Sequence, residues 1–239
     1  MIRDMRGLPT KNLRSKGLSI DLPAVVAVLG KDALLQAVAA ESIGADILEV
    51  RLDLVEGDPI EVIRGVRKIT HLPIIATNRM REEGGGFLGD ETDRIEILCS
   101  AARWADLVDI ELSSEEREHL MKRIKKPVIV SYHNFEGMPG PKELRFILDE
   151  IYNTNADIAK VAVTPERLRD NLQLLSLLLG AFRPTCIIGM GEIGRHLRAV
   201  APLYGSVLTY GHLGEAFAPG QMSVSELFQA LRILGSGSG

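Results

Sequence analysis

Short runs of apolar, mostly β-branched residues recur along the chain, each followed by a stretch in which apolar positions return every third or fourth residue. The first pattern predicts strands and the second amphipathic helices. Eight strands are expected, at Ala24 to Leu29, Asp46 to Arg51, Pro73 to Thr77, Asp106 to Glu111, Pro127 to His133, Ile158 to Val163, Thr185 to Gly189 and Ser206 to Thr209. The clearest helices between them run Lys31 to Ile43, Ile60 to Ile69, Glu91 to Trp104, Lys142 to Asn153, Pro165 to Leu179 and Ser223 to Leu234. Their ends carry signals: Thr164 before Pro165 has the form of an N-cap with a first-turn proline, Gly180 follows Leu179, and Ser223 to Glu226 has capping-box spacing.

Eight such rounds between residues 24 and 234 predict an α/β fold, a (β/α)8 TIM barrel in a single domain, because parallel strands need helical crossovers and a closed barrel leaves no bare edge. An open doubly wound sheet is the rival. The barrel is preferred because nearly every strand ends in a polar or charged residue, the end at which barrel enzymes work. Residues 1–23 hold five basic side chains and no apolar h-region, so they read as an N-terminal arm or hairpin and not as a secretory leader. Residues 235–239, GSGSG, read as a flexible linker-like tail with nothing to bury.

Composition narrows the partners. With 46% hydrophobic and 25% charged residues the chain has enough apolar material for a core, and 28 basic against 32 acidic side chains leave a net charge of −4. No positive field recruits nucleic acid or an anionic membrane, and no apolar run reaches the ~20 residues of a membrane span. A small-molecule substrate is therefore expected. Cys99 and Cys186 stand far apart in apolar segments and read as reduced thiols of a cytoplasmic protein.

Strand alternation then places the chemistry. Glu49, Arg51 and Asp53 fall on one face of the second unit, Ile129, Ser131 and His133 on one face of the fifth, and Ile158, Lys160 and Ala162 on one face of the sixth. A lysine among small apolar residues in mid-strand is costly to bury as an ammonium, and a neutral amine is a nucleophile toward carbonyls. The bland alternative pairs Lys160 with Glu49 or Glu111 across the barrel for charge balance alone. An imidazole on the neighbouring strand makes His133 a general acid and base for that amine.

Two glycine clusters stand out. Gly189, Gly191 and Gly194 spell G-M-G-E-I-G, the letters of a dinucleotide fingerprint, but Glu192 would repel phosphates and the segment comes seventh of eight units. Glu82, Glu83 and Gly84 to Gly86 read as a mobile loop that carries an acid over the barrel mouth. Asp53, Asp109 and Glu111 near strand ends raise the question of a metal, yet no His or Cys spacing supports one, so neither metal nor cofactor is expected.

Taken together, L-E-V-R-L-D (48–53), T-N-R-M-R-E-E-G-G (77–85), D-L-V-D-I-E-L (106–112), S-Y-H-N-F (131–135), D-I-A-K-V-A-V (157–163), G-M-G-E-I-G-R-H-L-R (189–198) and A-P-G-Q (218–221) resemble the type I 3-dehydroquinate dehydratases of the shikimate pathway. The resemblance implies a cofactor-free homodimeric barrel lyase that converts 3-dehydroquinate to 3-dehydroshikimate. It implies that Lys160 forms a Schiff base with the substrate ketone, His133 moves the proton, Glu83 supports His133, and Arg198 binds the substrate carboxylate. Glu49, Arg51, Arg79 and Gln221 match residues that contact the ring hydroxyls or close the site. Two positions depart from the family pattern. Asn134 replaces a common aspartate, so a weaker charge is expected on the imidazole, and Phe217 replaces a small hydroxyl residue beside A-P-G-Q, either filling the pocket or packing outward. Another Schiff-base barrel lyase or aldolase, and a catalytically silent barrel used as a scaffold, are the alternatives.

Overall fold

The computed structural model describes residues 11–235. A two-stranded antiparallel hairpin, β1 (Lys11–Ser15) and β2 (Leu18–Leu22), precedes eight parallel strands. These are β3 (Ala24–Leu29), β4 (Ile47–Arg51), β5 (Ile74–Thr77), β6 (Leu107–Glu111), β7 (Val128–Asn134), β8 (Ile158–Val163), β9 (Thr185–Gly189) and β10 (Leu208–Gly211). Their order is β10-β3-β4-β5-β6-β7-β8-β9, an α/β barrel that is nearly closed. At the seam between β9 and β10, single bonds replace a ladder: Val207 N–H donates to Thr185 O and the Cys186 thiol donates to Leu208 O.

Helices α1 (Ala33–Ile43), α2 (Pro59–Ile69), α3 (Glu91–Ala101), α4 (Arg117–Arg123), α5 (Pro141–Asn153), α6 (Leu168–Leu179) and α9 (Val224–Gly235) cover the outside, and two single turns, α7 (Gly191–Gly194) and α8 (Leu197–Val200), follow β9. Alternation divides the apolar residues into two cores. Leu48, Val50, Ile74, Ala76, Val108, Ile110, Val128, Val130, Ala159 and Val161 face the helices. Val26, Ile47, Ile75, Leu107, Ile129, Ile158 and Leu208 face the barrel axis.

The hairpin lies against the barrel. Leu13, Ile20 and Leu22 join the inner core, where burying each side chain stabilises the fold by roughly 1.5–3 kcal/mol. Lys16 reaches Asp157, whose carboxylate also accepts from Val128 N at the foot of β7, so charge and hydrogen bonds fix the same contact. Residues 1–10 and 236–239 lie outside the described residues, and Gly235, expected in the tail, closes α9.

Several helix boundaries move. Thr164 does not cap α6: its hydroxyl donates to the carbonyls of Asn134 and Phe135, and the helix begins at Leu168, where the Asp170 carboxylate accepts from Glu166 N and Arg167 N. The helix expected to end at Trp104 ends at Ala101. Ser223 and Glu226 do form the reciprocal cap, each accepting the other's backbone N–H. The G-M-G-E-I-G segment is a close-packing device: a Cβ at Gly194 would lie 2.5 Å from the Gly189 carbonyl carbon. Among the described residues no helix is long and apolar enough to cross a membrane.

Candidate active site

At the carboxyl end of the barrel the inward positions turn from apolar to charged. Lys160, in mid-β8, is 4% exposed and stands level with Ser131 on β7 and Cys186 on β9. Its Nζ donates to Asp109 Oδ2 at 3.0 Å and lies 4.0 Å from Glu49 Oε1. Of the two carboxylates named for the charge-balance alternative, Glu49 is thus within reach, whereas Glu111 is taken by two arginines, Arg79 at 2.9 Å and Arg94 at 2.7 Å. Arg79 also bonds Asp109 Oδ1 and Ser131 Oγ, both at 2.8 Å. Alternating charges therefore run from Glu91 through Arg94, Glu111, Arg79 and Asp109 to Lys160, all but Glu91 fully buried. Burial alone would raise the Asp109 carboxyl, but Arg79 and Lys160 outweigh it and hold the group far below the usual carboxylate range. Lys160 is thus an anchored amine, with its nitrogen held on the cavity side of β8.

His133 ends the inward row of β7, opposite Ala162. Its Nδ1 and its backbone N–H both meet Glu83 Oε2 at 2.9 Å, and Ser113 Oγ donates to Glu83 Oε1 at 2.7 Å. The loop that delivers Glu83 is pinned where mobility was expected: it opens with a 3-10 turn, Arg81–Glu83, Gly85 N–H donates to Met80 O, and Gly86 N–H donates to the Asp53 carboxylate. A Cβ at Gly85 would lie 2.0 Å from Arg79 O, so only glycine permits this closure. Glu82 points to solvent. Burial pushes the Glu83 carboxyl up to about 7, against the pull of Arg79. Burial, then the Arg79 and Lys160 cations, hold the imidazole well below its ordinary value. Asn134 has no part in this: its side chain accepts from Glu136 N and Gly137 N and shapes the turn after β7.

Across the cavity Arg198, on α8, is 3% exposed; Nη1 donates to Tyr210 O, Nε has no partner among the described residues, and burial lowers the guanidinium to about 10. Arg51 forks onto Asp53 at 2.9 and 2.7 Å, and Asp53 also accepts from Arg79 N. The A-P-G-Q loop closes one side. Gln221 Oε1 accepts from Phe217 N, and the Phe217 ring turns inward over Gly30, where a Cβ would lie 2.5 Å from the ring edge. Lys160, His133, Glu83, Glu49, Arg51, Arg79, Arg198 and Gln221 all line one cavity at the barrel mouth. Among the described residues no three acids, histidines or cysteines are arranged to hold a metal ion.

A family model for type I 3-dehydroquinase matches residues 24–238. A 3-dehydroquinate dehydratase of Methanothrix thermoacetophila is 52% identical over 226 residues, covering 95% of this chain and 98% of that one. The chain belongs to the type I 3-dehydroquinase family. The solved 3-dehydroquinate dehydratase of Geobacillus kaustophilus superposes with a TM-score of 0.87 at 28% identity, covering 96% of this chain and 98% of that one. The type I enzyme of Clostridium difficile, solved with covalently modified comenic acid, gives 0.84 at 27% identity, covering 97% and 100%. Dehydratase activity, a hydro-lyase reaction, goes with type I membership, as the sequence anticipates. Three residues of this type I site escaped the sequence reading as site residues: Asp109, weighed only as a metal ligand; Ser131, noted only as inward; and Tyr210, beyond the end of the strand expected at Ser206 to Thr209.

Proposed function

We propose that Lys160 condenses with the ketone of 3-dehydroquinate and that His133 carries the proton through elimination to 3-dehydroshikimate. The Nζ lone pair forms the C–N bond and the carbonyl oxygen leaves as water, giving a protonated imine. That imine draws electrons from the adjacent carbon, so the carbanion left by proton loss is delocalised onto nitrogen. His133 takes this proton. Its Nδ1–H is held by Glu83, which leaves the Nε2 lone pair as the base. The enamine electrons then expel the hydroxyl one carbon further on, protonated by His133, and water hydrolyses the imine to free Lys160.

The remaining charges orient the ring. Arg198 is the cavity's least-compensated guanidinium and fits the substrate carboxylate, which a planar fork grips in two places. Glu49, Arg51, Arg79 and Gln221 serve the ring hydroxyls or close the site; the Arg79 network supports this only as a wall, since that guanidinium is already engaged by Asp109, Glu111 and Ser131. The reading extends to a homodimer in the cytoplasm acting on a small molecule without cofactor, metal, membrane or nucleic acid. It draws support from the family, the net charge of −4 and two unpaired cysteines, Cys186 buried and Cys99 half-buried.

The observation that carries the proposal is an amine anchored inside the barrel with an imidazole–carboxylate pair at the same mouth. Borohydride with 3-dehydroquinate should fix one adduct per chain on Lys160. Lys160→Ala should abolish it, whereas His133→Ala should still form it and lose several kcal/mol of transition-state stabilisation in kcat. No mass shift on the parent protein, or undiminished turnover in His133→Ala, overturns the assignment.

A further inference from the structure

We infer that Tyr210 works in the imine-forming step: its ring steadies the Lys160 amine, and its hydroxyl donates a hydrogen bond to the ketone oxygen that departs as water. The inference rests on the Lys160 reading above. Tyr210 occupies the inward position of β10, lines the cavity and is 4% exposed. Lys160 Nζ lies 4.3 Å from the ring centroid, a cation–π contact on the face of the amine away from Asp109's strand. The two anchors leave the nitrogen between a carboxylate and a ring.

The hydroxyl is the unusual atom. It is fully buried and has no hydrogen-bond partner among the described residues. Such a group costs stability, and phenylalanine would keep the ring and the cation–π contact without that cost. An oxygen retained on those terms, on a residue that lines the cavity and meets the nucleophile through its ring, is suited to a ligand atom. Burial, reinforced by Glu49 and other neighbours, holds the phenol well above its ordinary value, so it stays protonated and acts as a donor.

Imine formation creates the matching acceptor. As the Nζ lone pair attacks, the carbonyl π electrons move onto oxygen, and a proton from nitrogen converts that oxygen into the carbinolamine hydroxyl. In the next step the C–O bond breaks, the nitrogen lone pair forms C=N, and the oxygen leaves as water with the proton that His133 took from the Lys160 ammonium to free its lone pair for attack. Tyr210 keeps its own proton throughout. Its hydrogen bond favours the charge that gathers on oxygen in both steps.

The test is Tyr210→Phe, followed by borohydride quenching at timed intervals after mixing with 3-dehydroquinate and by intact-mass measurement. The Lys160 adduct should accumulate about tenfold more slowly or worse, the factor set by one donor in the transition state. The melting temperature should be equal or higher, because an unpartnered hydroxyl has been removed. An adduct formed at the parent rate, or a slower one accompanied by a lowered melting temperature, overturns the inference. Absence of any adduct in the parent protein overturns the Lys160 reading and this inference with it.

Discussion

Two layers of inward side chains lie two residues apart on the same strands. The lower layer, Ile47, Ile75, Leu107, Ile129 and Ile158, is apolar and is sealed below by the hairpin residues Leu13 and Ile20. The upper layer, Glu49, Thr77, Asp109, Ser131 and Lys160, is polar and equally buried. Both are dry, and they hold together by different physics. An apolar side chain contributes its own transfer and packing energy, so its loss is local. A buried charge is tolerable only while its partner remains, so the loss of one group is felt through its neighbours.

The difference is sharpest at Asp109, which touches both Lys160 and Arg79. Asp109→Ala removes the hydrogen-bonded carboxylate of Lys160 and one of the two that hold Arg79, and should cost about 3–5 kcal/mol in urea unfolding, with an unchanged m-value. Adding Lys160→Met should restore part of that loss, a non-additive pair that independent sites would not show. Strict additivity would mean that the upper layer behaves like the lower one.

In the lower layer Ile158→Ala removes methyl groups and leaves every charge paired. It should cost about 2–4 kcal/mol through lost burial and the residual cavity, while the borohydride adduct on Lys160 still forms. Loss of the adduct despite retained folding would show that the apolar floor positions the amine, and would collapse the distinction between the layers.

Much of this arrangement was legible because a strand has a period of two. Inward placement of Glu49, Arg51, Ser131, His133 and Lys160 needs only the strand's location, and the strands were located to within a residue or two. What depended on register between strands was not legible. Whether Lys160 meets Glu111 or Asp109 is decided by the stagger of β6 against β8, which neither strand's own pattern records. Tyr210 lies beyond the strand expected at Ser206 to Thr209, because β10 runs two residues later; the alternation of Leu208 and Tyr210 is the signal that marks it. The start of α6 failed because Thr164 found better acceptors in the turn after β7, a tertiary contact overriding a local signal. Sequence adjacency to His133 likewise says nothing of which way the Asn134 amide turns, and it turns to the backbone after β7.

Glu83 lies at the rim of the upper layer, where burial is least compensated, and its two roles oppose each other. Its folded carboxyl titrates near 7 against an ordinary 4.5, so between those values the folded chain binds more protons than the unfolded one. The stability it contributes is complete below about pH 4.5 and is lost as pH rises through about 7. Glu83→Gln removes this slope, so its unfolding free energy relative to the parent, read from urea unfolding, should rise between pH 5 and pH 8 by an amount on the order of 2 kcal/mol. Catalysis runs the other way, because only the ionised carboxylate accepts strongly from His133 Nδ1–H. The parent kcat should therefore fall below about pH 7 with one proton, a limb that belongs to the Glu83–His133 pair and that Glu83→Gln should flatten at a lower plateau. Parallel stability curves would mean that this carboxylate titrates as though exposed. Divergent curves with opposite activity would show the upper layer giving up stability, at the pH where it works, for a charge placed against an imidazole.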